Sequence, residues 1–239
     1  NLDRENILQN IQEFPAQVEN CWADWQKMPL PTSYIQAKSV VISGMGGSAI
    51  GGGLAAGLAK SAHIPIVTCS DYDIPGFINK DTLFIAVSYS GNTEETILAL
   101  KKAAEKTNKI ITISTGGKIA SLATNYRTPH YKIEYGSQPR AALGYTFTSL
   151  VAILSKLKIL EVKEEDIKEA LILLRGLQKK IDVNAQTGYN NAKILAQKLF
   201  GKIPIIYGSG TLAEVARRWK GEFNENAKSA SYFEILPEL

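Results

Sequence analysis

Residues 82–96 read TLFIAVSYSGNTEET, a short apolar run that leads into a turn of hydroxyl and glycine residues and then into acidic residues. The apolar run predicts a β-strand buried on both faces, because strands of a parallel sheet are covered by helices on either side. The turn and the acidic residues are typical of the start of a helix, which we expect to continue through Lys106. This stretch therefore predicts one strand–loop–helix unit of an α/β fold.

Similar β-rich runs surround this unit and are separated by helix-compatible segments. They are SVVISG, IPIVTC and KIITIS, which begin at Ser39, Ile64 and Lys109. Such alternation predicts a doubly wound parallel sheet. Apolar spacing also predicts a helix over residues 4–25, interrupted at Pro15, and later helices over 141–160, 164–181 and 189–200.

The order strand, glycine-rich turn and helix occurs a second time, about 160 residues further on, where IPIIYGSG begins at Ile203 and leads into TLAEVARRWKGEF. This repetition predicts two pseudo-symmetric subdomains. The second copy ends about 30 residues after its turn, so we expect a C-terminal portion that this chain lacks. The start at Asn rather than Met also indicates that the chain is not the whole natural polypeptide. The expected boundaries are a helical arm over 1–37, a first domain over 38–160, and a helical linker with an incomplete second domain over 161–239.

Composition restricts the function classes. The chain has 239 residues, 45% of them hydrophobic and 21% charged, and its net charge of +4 includes no run of five or six basic residues. We therefore expect anionic small molecules rather than nucleic acid as ligands. Cys21 and Cys69 lack a CxxC spacing. No apolar stretch is long enough to span a membrane, and the N-terminal residues lack the pattern of a signal peptide. These features predict a cytoplasmic protein without a membrane partner.

The loop after the strand at residue 82 is the strongest candidate for a phosphate site. Ser88, Ser90 and Thr93 supply hydroxyl groups beside a glycine at the start of a helix, where free N–H groups and the helix dipole favour an anion. The competing interpretation is structural: Ser90 or Asn92 caps the helix, and the two glutamates that follow complement its dipole. Three hydroxyl groups at the carboxyl end of a strand favour the phosphate site.

A second glycine-rich turn, GMGGSA at residues 44–49, follows the strand SVVIS and opens the next helix. Its spacing fits the G-x-G-x-x-A pattern, and Asp71 or Asp73 could bind a ribose, so a nicotinamide dinucleotide site is an alternative. That alternative leaves the hydroxyl-rich loop at Ser88 without a role. We favour a glycine floor that lets a sugar approach the backbone, with tight strand-to-helix packing as the purely structural explanation.

Two further segments carry candidate catalytic groups. In QPRAALGY, which begins at Gln138, a proline-containing turn presents Arg140 just before a helix. In KGEFNENAK, residues 220–228, carboxylates, amides and lysines lie close together near a helix end. Taken alone, each segment is equally compatible with a solvated polar surface.

Four ordered motifs together resemble a known family. SGMGGSAIGG, SYSGNTEET, QPRAALGY, and NENAK followed by LPEL cover the chain from about residue 35 to its end. They resemble the phosphosugar isomerase (SIS) domains, and specifically the bifunctional phosphoglucose/phosphomannose isomerases. The resemblance implies an aldose–ketose isomerase that interconverts glucose 6-phosphate or mannose 6-phosphate with fructose 6-phosphate, as in glycolysis and gluconeogenesis, without a metal or cofactor.

The resemblance also assigns roles to residues. It implies that Ser88, Ser90 and Thr93 of the hydroxyl-rich loop hold the phosphate, and that Gly46, Gly47 and Ser48 of the glycine-rich turn contact the substrate. It also implies that Arg140 stabilises the enediolate and that Glu225 is the base. The family continues past LPEL to a histidine that assists ring opening and to a later lysine, which this chain does not contain. The histidine is expected from a neighbouring subunit, which implies a homodimer. A non-catalytic sensor of sugar phosphates is the alternative, since it needs the phosphate loop but neither Arg140 nor Glu225.

Overall fold

The computed structural model describes residues 3–238, which begin with two helices, α1 (Ile7–Gln12) and α2 (Phe14–Lys27). Pro15 lies in the first turn of α2, where a missing backbone N–H costs nothing, so the helical interruption falls at Glu13 rather than at the proline. α2 buries Trp25 and Cys21 against a later helix, α6 (Leu143–Lys156). The N-terminal arm is therefore packed onto the domain that follows it.

A five-stranded parallel sheet forms the centre of the molecule, in the order β2-β1-β3-β4-β5. Its strands are β1 (Ser39–Ser43), β2 (Ile66–Cys69), β3 (Thr82–Val87), β4 (Ile110–Ser114) and β5 (His130–Lys132). The connecting helices are α3 (Gly46–Leu58), α4 (Glu94–Ala104) and α5 (Gly117–Tyr126). This topology confirms the predicted doubly wound α/β fold.

The two faces of the sheet bury separate apolar clusters. In β3, Leu83 and Ile85 face the cluster that includes Trp25, whereas Phe84 packs with Leu100 of α4 on the opposite face. Alternation of side chains along a strand places them on opposite faces, and both faces are covered by helices. This double burial explains why β3 is an almost uninterrupted apolar run.

The C-terminal part of the chain repeats the first strand–helix–strand unit on a smaller scale. It contains α7 (Glu164–Lys180), α8 (Asn191–Leu199), β6 (Ile205–Ser209), α9 (Ala213–Glu225) and β7 (Tyr232–Leu236). β6 and β7 pair in parallel as a two-stranded sheet, as β1 and β2 do around α3. α9 packs against α3, where Glu214 lies directly over Gly53. This contact brings the end of α9 towards the first sheet.

Within residues 3–238, no helix combines the length and the apolar composition that crossing a lipid bilayer demands.

Candidate active site

The site lies at the carboxyl ends of β1 and β3, the two central strands from which the chain proceeds in opposite directions across the sheet. Ligands of open α/β sheets bind at such a switch point, because the loops there diverge and leave a crevice. A cavity of about 270 Å³ occupies it. The residues that line it are Met45, Gly46, Gly47, Ser48, Tyr89, Ser90, Thr93, Pro139, Arg140 and Glu225.

The loop after β3 is held in shape by Gly91 and Ser88. Gly91 has a φ of 69°, and a Cβ atom there would lie 1.8 Å from the carbonyl oxygen of Gly116, so only glycine fits. The Ser88 hydroxyl accepts a hydrogen bond from the Gly91 amide at 3.1 Å and lies 2.8 Å from Thr93 Oγ1. Ser88 is 1% exposed, beneath the loop and outside the cavity lining. It orients Thr93, whereas Ser90 and Thr93 face the cavity directly.

The N-terminus of α4 opens onto the same cavity. Thr93 is the N-cap residue, and its hydroxyl pairs with Ser88 instead of capping a helical amide. Amides in the first turn of a helix have no intrahelical acceptor, and the helix dipole adds positive potential there. Glu94 and Glu95 begin the helix but lie outside the cavity lining. The arrangement therefore suits an anion that bonds to hydroxyl and amide donors.

The glycine turn after β1 packs against the turn that contains Arg140. A Cβ atom on Gly47 would lie 3.2 Å from the carbonyl oxygen of Pro139, closer than side chains normally approach. Ser48 is 5% exposed, and its hydroxyl accepts a hydrogen bond from the Tyr89 amide at 3.2 Å. The glycines thus allow three loops from separate parts of the chain to meet around one cavity.

Arg140 lies in a 3₁₀ turn, Pro139–Ala141, and its side chain is 18% exposed. Its Nε donates to Asn226 Oδ1 at 2.8 Å, and its Nη2 pairs with Glu5 at 2.9 Å. Its Nη1 lies 3.9 Å from Glu225 Oε2, which is longer than a hydrogen bond. The two groups predicted to be catalytic therefore face each other at one side of the cavity.

Two charged residues of α9, Arg218 and Glu222, lie behind this pair. Sequence reasoning missed Arg218 and included Glu222 only as a member of the segment 220–228, without a role of its own. Arg218 Nη2 lies 2.5 Å from Glu222 Oε1 and also donates to the carbonyl oxygen of Arg140. Burial raises the pKa of the Glu222 carboxyl, opposed by the charge of Arg218, and burial lowers the pKa of Arg218. Their four-residue spacing along α9 was the available signal, but it is shared by many solvent-exposed ion pairs.

The aspartates considered for a ribose lie outside the cavity lining. Asp71 accepts a hydrogen bond from the Tyr72 amide at 2.6 Å, and Asp73 pairs with Lys102 of α4. Both carboxylates thus stabilise the loop after β2. A nicotinamide dinucleotide bound at the switch point would therefore have no ribose contact with either aspartate.

Two known protein families match parts of this chain. Residues 33–157 match the SIS domain family, and residues 189–239 match the family described as bacterial phospho-glucose isomerase C-terminal SIS domain. A bifunctional phosphoglucose/phosphomannose isomerase from Caldicellulosiruptor bescii is 39% identical over 98% of the chain, which spans 69% of that protein. A protein of the same name from Thermoplasma acidophilum is 39% identical over 84% of the chain, which spans 59% of that protein.

The fold has solved counterparts as well. The C-terminal domain of glucosamine-fructose-6-phosphate aminotransferase from Francisella tularensis superposes with a TM-score of 0.73. The alignment covers 100% of this chain and 73% of that one, with 16% sequence identity. This likeness supports the fold alone.

Proposed function

Because the chain belongs to the family of bifunctional phosphoglucose/phosphomannose isomerases, we propose that it interconverts glucose 6-phosphate and mannose 6-phosphate with fructose 6-phosphate. The observation that carries the proposal is the approach of Arg140 Nη1 to within 3.9 Å of Glu225 Oε2, beside a cavity that also contains hydroxyl groups and a helix N-terminus. A base, a cation and an anion site are the three elements that an enediol mechanism requires.

The phosphate end of the substrate would lie against Ser90, Thr93 and the first amides of α4. Binding there is remote from the reacting carbons, so its contribution is orientation, which makes the later proton transfer effectively intramolecular. Gly46 and Gly47 leave room for the sugar to approach the backbone. Ser48 holds the loop of Tyr89 in place from the same side.

The chemistry would take place at the opposite side, between Glu225 and Arg140. In the open-chain aldose phosphate, the Glu225 carboxylate removes the proton from C2 and returns it to C1, and the hydroxyl proton of O2 passes to O1. Arg140 Nη1 stabilises the oxyanion of the enediolate between these two steps. The electrons stay within the substrate, so the reaction balances without an oxidant or reductant. Glucose 6-phosphate and mannose 6-phosphate differ only at C2, which is planar in the enediolate, so one base serves both when the bound enediolate turns to present either face of C2 to Glu225.

We also infer a homodimer that acts in the cytoplasm, in glycolysis or gluconeogenesis. Support for the location comes from Cys21 and Cys69, which are both free thiols, and from the phosphorylated substrates of the named relatives. Support for the dimer comes from the family resemblance, which implies a histidine contributed by a neighbouring subunit. Sedimentation equilibrium of the natural full-length protein tests the dimer, and a monomer would contradict it.

A coupled assay of the natural full-length protein tests the activity, with fructose 6-phosphate as substrate and both aldose phosphates followed as products. The Glu225→Gln variant should lose about 100-fold or more in kcat while it still binds the substrate. Glu169→Gln, an exposed change on α7, is the matched control and should retain wild-type kcat. Wild-type protein that binds the sugar phosphate without turnover would instead support the sensor alternative.

A further inference from the structure

Three polar residues follow one another at intervals of four: Arg218 and Glu222 of α9, and Asn226, the C-cap residue of that helix. This spacing places them on one face of the helix, and that face is directed towards Arg140. The Arg218 and Glu222 side chains are only 16% and 36% exposed, so this is a partly buried ion pair.

The contacts of these residues form a closed ring around Arg140. Arg218 donates to the carbonyl oxygen of Arg140 and pairs with Glu222 Oε1 at 2.5 Å. Glu222 Oε2 accepts a hydrogen bond from the Asn226 amide group. Asn226 Oδ1 in turn accepts from Arg140 Nε at 2.8 Å, which closes the ring. Arg140 is thereby held at its backbone and at its side chain by a single set of linked contacts.

The ring determines which part of the guanidinium group faces the cavity. Asn226 occupies Nε and Glu5 occupies Nη2, so Nη1 is the nitrogen directed towards Glu225. Glu225 is the last residue of α9 and lies between Glu222 and the C-cap Asn226, so the ring also fixes the end of α9 that carries the proposed base. One network therefore holds both reacting groups relative to each other.

We infer that Arg218 and Glu222 are positioning residues for the isomerase reaction, acting through Arg140 and the end of α9 rather than on the substrate. The inference rests on the proposed function, because it requires Arg140 and Glu225 to be the reacting groups. A partly buried ion pair contributes little net stability, since desolvation of both charges offsets their attraction. The presence of this ion pair is therefore explained by its effect on the orientation of Arg140 rather than by a contribution to stability.

Two neighbouring arginines of α9 provide a matched test. Arg218→Met opens the ring, whereas Arg217→Met removes only an exposed partner of Glu214. In the natural full-length protein, Arg218→Met should lower kcat about 10-fold or more, with KM for fructose 6-phosphate changed less than about threefold. Arg217→Met should change kcat less than about twofold. Equal kcat values for the two variants would overturn the inference.

A double-mutant cycle separates positioning from general structural damage. If Arg218 acts through Arg140, then in an Arg140→Met background the Arg218→Met change should lower kcat by less than about twofold further. Full additivity of the two losses would overturn the inference. Circular dichroism and thermal unfolding establish which variants are folded.

The isosteric variant Glu222→Gln decides the question if Arg218→Met does not fold. A glutamine must present its amide N–H₂ to Arg218 or to Asn226, both of which are donors there, so it breaks the ring with little change in shape. We expect the same fall in kcat at nearly constant KM. Wild-type kcat in a folded Glu222→Gln variant would refute the positioning role alone, whereas inactive wild-type protein would refute the proposed function and this inference together.

Discussion

The backbone amide of Tyr89 donates a hydrogen bond to the hydroxyl of Ser48 at 3.2 Å and so joins the loop after β3 to the turn after β1. Both residues line the cavity, and Ser48 is 5% exposed. The contact spans the two central strands at the switch point of the sheet. It therefore sets the width of the crevice in which we propose the sugar phosphate to bind.

Removal of this link should affect stability and substrate affinity together. In Ser48→Ala the buried Tyr89 amide loses its acceptor, and we expect a loss of about 1–3 kcal/mol in the free energy of unfolding. KM for fructose 6-phosphate should rise, because the loop after β3 is no longer held against the turn after β1. Urea unfolding and steady-state kinetics measure the two effects. Ser121→Ala, at an exposed position of α5, is the control, and an equal response of both variants would contradict the prediction.

Replacement of Gly91 should be more severe. A Cβ atom would collide with the Gly116 carbonyl oxygen, and the φ of 69° is unfavourable for alanine, so Gly91→Ala should cost about 2–4 kcal/mol. Gly176→Ala, in the interior of α7 with open space around it, is the matched control and should stabilise by about 0.5–1 kcal/mol. Thermal and urea unfolding compare the two. If Gly91→Ala and Gly176→Ala had similar unfolding midpoints, the loop after β3 would have to rearrange to accommodate the added Cβ atom, and the prediction would be wrong.

The two serines of the loop after β3, Ser88 and Ser90, should respond differently. Ser90 lines the cavity, so Ser90→Ala should weaken binding of inorganic phosphate or fructose 6-phosphate about 10-fold, the effect of one hydrogen bond to a charged group. Ser88 supports Gly91 and Thr93 from below, so Ser88→Ala should mainly lower stability, by about 1 kcal/mol. Isothermal titration and urea unfolding distinguish the two roles. The reverse pattern would mean that Ser88 is the direct phosphate ligand.

Most of the sheet was predictable because buried parallel strands are continuous apolar runs. The strands β1 to β4 begin within two residues of the predicted positions, and the predicted loops meet at one cavity. β5 and β7 were not predicted. His130–Lys132 is only three residues long, and Tyr232–Leu236 includes Glu234 and is largely exposed, so neither has the pattern of a buried strand.

All the predicted site residues except Ser88 line the cavity, but the sequence did not determine their geometry. The inward orientation of Ser88 depends on the chain reversal at Gly91, which the residue types alone do not determine. The roles of Arg218 and Glu222 depend on how α9 packs against α3, a contact between distant parts of the chain. An ion pair spaced by four residues looks the same on a solvated helix. Only the tertiary structure shows that this pair supports Arg140.

Acid should destabilise the fold partly through His130. Its Nδ1 lies 2.8 Å from Thr112 Oγ1, and burial lowers the pKa of the imidazole, with a smaller effect of the same sign from Lys132. The neutral form is therefore favoured in the folded state. Above pH 6.5 this group leaves stability unchanged; as the pH falls below 6.5, the unfolded state takes up the proton first and stability declines. In His130→Asn the difference between urea midpoints at pH 7.5 and pH 5.5 should shrink, and an unchanged difference would contradict the assignment.

The thiol of Cys21 should be unreactive in the folded protein. Cys21 is fully buried between α2 and α6, with its Sγ 3.2 Å from Ser149 Oγ, and burial raises its pKa to about 12. Burial also raises the pKa of Cys69. Since the thiolate is the nucleophile, neither thiol should react readily with a disulfide reagent at pH 8. Titration with such a reagent should find both thiols only after unfolding in urea. Rapid reaction of Cys21 without denaturant would show that α2 separates from α6 in solution, and with it the N-terminal arm that carries Glu5 to Arg140.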